Sequence, residues 1–258
     1  MVADSTMPGG TRTPDAVAAK LEQLVLDGII RPGQLLPSER RLCDKLGVSR
    51  ASLREGLRVL RGKGIIETRQ GRGSVVARLI PRRDDSPLMH LFRDHPRTLY
   101  DLLEVRSLLE GESARLAALR GTPADRVVIG HRYEAMANYV SQPGEIDVER
   151  LARYDHGFHL AICEASHNPV LVYTLQSLTD LLLSSVFASV KNLYHRPASR
   201  ERINSQHERL YRAVIDQDAD GAEQAALEHL ESIGNSLREI EAENERLVRA
   251  AMRLEAWQ

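Results

Sequence analysis

"LPSERRLCDKLGVSRASLREGLRVLRGKG", residues 36–64, decides the fold. Arg50, Arg54, Arg58 and Arg61 recur at helical spacing. At about 100° per residue they fall within an arc of roughly 80°. Leu53, Leu57 and Leu60 take the neighbouring arc, giving one helix an apolar seam and a cationic flank. Ser49 is placed to cap its N-terminus, and Gly62 and Gly64 end it. Just upstream, Ser38 caps a second short helix with Glu39 in its first turn, Leu42 and Leu46 inward and Gly47 as its stop. Two short helices joined through a tight turn at Gly47 form the helix-turn-helix pattern, whose second helix enters the major groove of DNA. For the arginines alone, a solvated basic face is the competing explanation.

Charge distribution favours the nucleic acid. The 258 residues carry a formal net charge of −1, but residues 1–83 hold 16 Lys+Arg against 8 Asp+Glu and the remaining 175 hold 19 against 28. A small basic domain of net charge +8 is thus joined to a larger acidic one of −9. The basic part is the electrostatic footprint of a phosphate backbone. Aromatic residues make up 4% of the chain, which argues against RNA readers that stack bases. No run approaches 18 consecutive apolar residues, and "MVADSTMPGGTRTPD" lacks a signal-peptide core. With Cys43 and Cys163 far apart, a reduced, cytoplasmic chain without membrane contact is expected.

Working outward, residues 14–29 form an amphipathic helix with Val17, Leu21, Leu24 and Val25 as its stripe, and "RPGQLLPSE" is a turn. After the arginine helix come two β-like runs, Ile65 to Arg69 and Ser74 to Leu79, separated by "QGRG". Three helices and a hairpin make a winged helix-turn-helix over residues 12–80, with Gln70, Gly71 and Arg72 at the wing tip. Pro81, Pro87 and Pro96 punctuate a linker over 81–97. Residues 98–253 are helical throughout, near 98–120, 123–141, 146–166, 168–191, 198–217 and 219–253. The expected fold is mostly α: a winged helix followed by an all-α antiparallel bundle with room for a ligand between its helices.

The acidic half carries its own chemistry. Asp155 and His159 stand at i and i+4 and share a helix face. His207 opens a later helix and His229 lies midway along the last. One carboxylate and three imidazoles suit a borderline divalent metal, zinc or nickel, but spacing alone does not tie distant histidines together. Arg106 and Glu110 stand at i and i+4, the spacing of an ion pair on one helix face.

The residues also resemble a known family. "LPSERRLCDKLGVSRASLREGLRVLRGKGIIETRQGRGSVV" is similar to the winged helix of the GntR regulators. "LLEVRSLLEGESARLAA", "DHGFHLAICEASHN", "QHERLYRAVIDQD" and "EHL" resemble the ligand-binding FCD domain of the fatty-acid-regulator branch. The likeness runs from about residue 14 to 255. It implies operator contacts from Arg40, Ser49, Arg50, Ser52 and Arg54, with Gln70 and Gly71 at the wing, where relatives often carry histidine. Arg50 and Arg54 have the fork needed for bidentate recognition of guanine, whereas Arg58 and Arg61 suit phosphates. It also implies a metal on Asp155, His159, His207 and His229, and Arg106 as carboxylate anchor. His156, His167 and His195 match no ligand position.

A homodimer on a short inverted repeat of double-stranded DNA is the expected assembly. The resemblance implies an activator of glycolate utilisation, with glycolate as effector. Glycolate offers a carboxylate and an adjacent hydroxyl for chelation; lactate, pyruvate or another small carboxylate, and a repressor's action, are the alternatives. A metal-dependent hydrolase fused to a DNA-binding module is the competing class. The sequence displays no Ser/His/Asp arrangement and no glutamate-plus-histidine motif to act as general base beside the metal set, so no enzyme is expected. An architectural DNA protein would leave the histidines unexplained.

Overall fold

The computed structural model describes residues 13–69, 73–77, 97–142, 146–185, 193–194 and 196–255. The chain divides into two compact units, residues 1–81 and 82–258.

In the first unit, α1 (Pro14–Leu26) starts where Thr13 accepts from the Ala16 amide and Pro14 presets the first turn. It ends three residues short of the expected Ile29, because Gly28 adopts φ 70° and turns the chain away. Ser38 caps α2 (Glu39–Leu46), and Gly47 closes it in the left-handed conformation at φ 63°. Ser49 caps α3 (Arg50–Gly62), its oxygen 3.1 Å from the Ser52 amide. Helices α1 and α3 approach so closely that a Cβ on Gly56 would stand 2.9 Å from Val17 Cγ1 and 3.2 Å from the Pro14 carbonyl.

Strands β1 (Ile66–Arg69) and β2 (Gly73–Val76) pair antiparallel, with Ile66 opposite Val76 and Arg69 opposite Gly73. Each is shorter than its expected run. The stretch read as a plain turn adds a third edge: Leu35 bridges Val75, and the Leu36 amide donates to the Ser74 carbonyl at 2.8 Å. Val17, Leu21, Leu42, Leu53, Leu57, Leu60, Ile66 and Val76 form the core. The wing tip (Gln70, Gly71, Arg72), residues 78–80 of the expected winged helix and residues 81–96 of the expected linker lie outside the described residues.

Among the described residues of the second unit, every regular element is a helix. Its elements are α4 (Arg97–Arg120), α5 (Pro123–Ser141), α6 (Val148–Ala165), α7 (Pro169–Ser185), α8 (Pro197–Ile215) and α9 (Ala219–Glu255). Thr122 and Asp125 form a reciprocal capping box on α5, and Asp147 caps α6. Helix α9 packs along α4 and α8, and α6 packs between α4 and α5. Leu102, Leu103, Ile129, Leu151, Phe158, Ile162, Leu210, Val214, Leu230 and Leu237 fill the interior. No helix among the described residues is long and apolar enough to cross a membrane.

Candidate functional site

The cationic flank lies on α2 and α3. Arg40, Ser49, Arg50 and Arg54 are exposed, and Ser52 is half-buried. Ser49 is committed to the helix start, where its hydroxyl also meets the Ser52 hydroxyl at 2.9 Å. Arg54 Nε donates to Glu39 Oε2 at 2.9 Å, tying the recognition helix to the one before it. Arg58 Nε donates to Glu55 at 2.8 Å, and Arg50 makes no ion pair among the described residues. Arg50 therefore offers a free fork, while Arg54 is aimed by a carboxylate.

The second cluster lies within the bundle. Asp155 and His159 project one turn apart from α6, His207 from the middle of α8 and His229 from the first third of α9. His207 stands well inside its helix rather than at the helix opening expected of it. One donor atom from each of the three histidines lies within 4.8 Å of the others, and all three side chains are buried. The Nε2 atoms of His159 and His207 are 3.2 Å apart, and Asp155 Oδ1 is 3.2 Å from His207 Nε2 and 3.9 Å from His159 Nε2. A metal–ligand length of about 2.0–2.2 Å sets adjacent donors roughly 3.0–3.6 Å apart, so the two 3.2 Å separations suit a shared cation.

The outer ring nitrogens have distinct surroundings. His159 Nδ1 lies 2.8 Å from Glu110 Oε2, and His229 Nδ1 is 3.3 Å from Gln206 Oε1. Each contact occupies one ring nitrogen and leaves Nε2 for another partner. His207 Nδ1 is buried with no hydrogen-bond partner among the described residues. Tyr194 donates its hydroxyl to Asp155 Oδ1 at 3.0 Å.

Burial, aided by the neighbouring imidazoles, holds His229 far below the ordinary histidine range. Burial also lowers His207, although Asp155 opposes it. Both are thus neutral donors at neutral pH. Burial disfavours charge on His159 too, but the Glu110 carboxylate outweighs it and raises the pKa. For Asp155 and Glu110, burial opposes ionisation and is overcome by the surrounding imidazoles and, at Glu110, first by Arg106. Both carboxyls are held well below the usual range.

Arg106 is half-buried on α4, and its Nε donates to Glu110 Oε1 at 2.7 Å, with a terminal nitrogen on the same oxygen. The i+4 ion pair that competes with the anchor role is therefore formed. Glu110, absent from the expected site, joins Arg106 to His159 and is only 5% exposed. Among the other histidines, His167 pairs with Asp125 at 2.9 Å. His195 lies outside the described residues.

Two family models match the chain. The one described as bacterial regulatory proteins, gntR family, matches residues 13–76, and the FCD domain matches residues 101–232. Among curated proteins, the Glc operon transcriptional activator of Escherichia coli (strain K12) is 58% identical over 241 residues, covering 93% of this chain and 95% of that protein. The putative L-lactate dehydrogenase operon regulatory protein of the same strain is 35% identical over 92% of this chain and 91% of its own length. The HTH-type transcriptional regulator LutR of Bacillus subtilis (strain 168) is 32% identical over 86% of this chain and 99% of its own.

Proposed function

The chain belongs to the GntR family of bacterial regulators, with an FCD domain as its second half, and from that premise we propose that it activates genes of glycolate utilisation when glycolate binds beside a divalent metal. That it is a DNA-binding transcriptional regulator follows from the family. The effector and the metal rest on chemistry. The observation that carries the reading is the convergence of Asp155, His159, His207 and His229 from three helices.

Asp155 and the Nε2 atoms of His159, His207 and His229 would hold the ion, with zinc first and nickel second for a donor set of three nitrogens and one oxygen. The depressed pKa values of His207 and His229 support neutral ligands. When bound, the metal supplies a Lewis acid for the effector's oxygens. Arg106 would take the carboxylate, its fork shared between ligand and Glu110. Water is largely excluded, because His159, His207, His229 and Glu110 are all buried.

Ligand binding that differs between two packings of α6, α8 and α9 shifts the population of DNA-competent protein. A coupling of about 1–3 kcal/mol is ordinary for such a switch. Two copies, joined through the acidic units because the basic ones repel, would read a short inverted repeat, with Arg50 and Arg54 on base edges, Arg40, Ser49 and Ser52 also on the operator, and Arg58 and Arg61 towards phosphates. Gln70 and Gly71 keep their proposed wing contacts.

The likeness to the lactate dehydrogenase operon regulator favours lactate as the second reading. Calorimetric titration of metal-loaded protein with glycolate, lactate, pyruvate and acetate separates the two. Glycolate should bind most tightly, with lactate within the 10–200-fold that about one methyl group allows. Tighter lactate binding would overturn the effector assignment.

A further inference from the structure

We infer that Glu110 is a positioning residue that couples the metal to the effector's carboxylate anchor, one oxygen orienting His159 and the other orienting Arg106. The inference rests on the metal-dependent reading above and adds a residue to it. Glu110 sits on α4 one turn beyond Arg106, with Oε1 taking the guanidinium at 2.7 Å. Its Oε2 crosses to α6 and lies 2.8 Å from His159 Nδ1. On this reading the carboxylate would act through His159 and Arg106 rather than by touching the metal or the effector itself.

Orientation matters at both ends. The Glu110 carboxylate, an ion contact 2.8 Å from Nδ1, holds that edge of the ring towards α4 and leaves Nε2 to the other donors, 3.2 Å from His207 Nε2. Two nitrogens of Arg106 bound to one oxygen leave the remaining terminal nitrogen as the edge available to an anion. With Glu110 only 5% exposed, neither contact is exchanged freely with water. A shift of His159 on metal uptake consequently reaches Arg106 through a single rigid carboxylate.

The experiment uses the full-length protein. Wild type, Glu110→Gln, Glu110→Asp and Arg106→Ala are compared by chelator competition for zinc, by visible absorption of the cobalt-loaded protein, and by glycolate titration at saturating zinc. Glu110→Gln should lower zinc affinity by roughly 10–100-fold and change the cobalt spectrum, as loss of an outer-shell carboxylate does. Glycolate affinity should fall about tenfold in the same variant, the loss expected when a charge-assisted contact is misplaced. Glu110→Asp should recover part of both. Arg106→Ala should lose far more glycolate affinity than zinc affinity, the reverse of the order in Glu110→Gln.

A Glu110→Gln protein with unchanged zinc affinity and spectrum would overturn the inference, leaving Glu110 a plain ion-pair partner. Wild type that takes up no metal would overturn the underlying reading, and the inference with it.

Discussion

Asp155 Oδ1 and His207 Nε2 stand 3.2 Å apart, although they come from helices 32 residues apart at their facing ends, the last residue of α6 being Ala165 and the first of α8 Pro197. The contact closes the bundle around a cluster of three imidazoles and two ionised carboxylates. Anything bound there fixes α6, α8 and α9 together. A chelator should therefore lower the melting temperature of the metal-loaded protein, because a ligand of the native state alone stabilises it by mass action. Calorimetric melts with and without chelator check this; identical melts of metal-loaded and stripped protein would deny the cluster a metal.

Acid should weaken the metal-free protein. His207 and His229 have folded pKa values below their unfolded value of about 6.5, so they contribute stability present above that pH and lost as pH falls through the folded values. Asp155 and Glu110 act in the same sense at lower pH, since both are depressed when folded. His159, raised by Glu110, acts oppositely: its contribution is complete below about 6.5 and lost as pH rises. Between pH 7 and pH 4 the two lowered imidazoles outweigh the one that is raised, and thermal melts of stripped protein should fall over that interval. A melting temperature that rises over that interval contradicts the assignment.

On the DNA side, Arg50→Ala and Arg54→Ala should each weaken specific operator binding by about 1–3 kcal/mol, the worth of a bidentate base contact. Because Glu39 aims Arg54 at 2.9 Å, Glu39→Ala should relax sequence preference more than it lowers affinity for random DNA. Binding isotherms at one fixed salt concentration measure both. Wild-type affinity in both arginine variants would mean that another element reads the bases.

Gly56→Ala should destabilise the first unit by about 1–3 kcal/mol, the cost of overpacking a tight core contact. The added Cβ would meet Val17 Cγ1 at 2.9 Å and the Pro14 carbonyl at 3.2 Å, and the carbonyl is backbone that does not swing aside. Urea unfolding of the variant tests this; unchanged stability would show that α1 moves at no cost.

Local signals were the legible ones. Ser38, Gly47 and Ser49 announce the two helix boundaries through caps and a left-handed glycine, and they stand where the spacing puts them. The i+4 rule made Asp155 and His159 neighbours, and Arg106 and Glu110 as well. Leu35 was not legible as a strand edge, because its pairing with Val75 is a long-range bridge of a single residue. Nor was Glu110 legible as a partner of His159: the contact spans α4 and α6, and nothing in a sequence period encodes which face of one helix meets another. Tyr194 and Gln206 escaped notice for the same reason, each touching the cluster across helices or from beside a ligand.

The central claim is that the effector binds through the metal. Its most direct test is calorimetric titration of glycolate into the His207→Ala protein, stripped of metal and shown by circular dichroism to retain its helices. Loss of a direct donor should exceed the roughly 10–100-fold cost in metal affinity known for outer-shell changes. The account predicts no measurable heat of glycolate binding and undiminished basal operator binding, since the winged helix has a core of its own. Glycolate binding by that metal-free variant at wild-type affinity would contradict it.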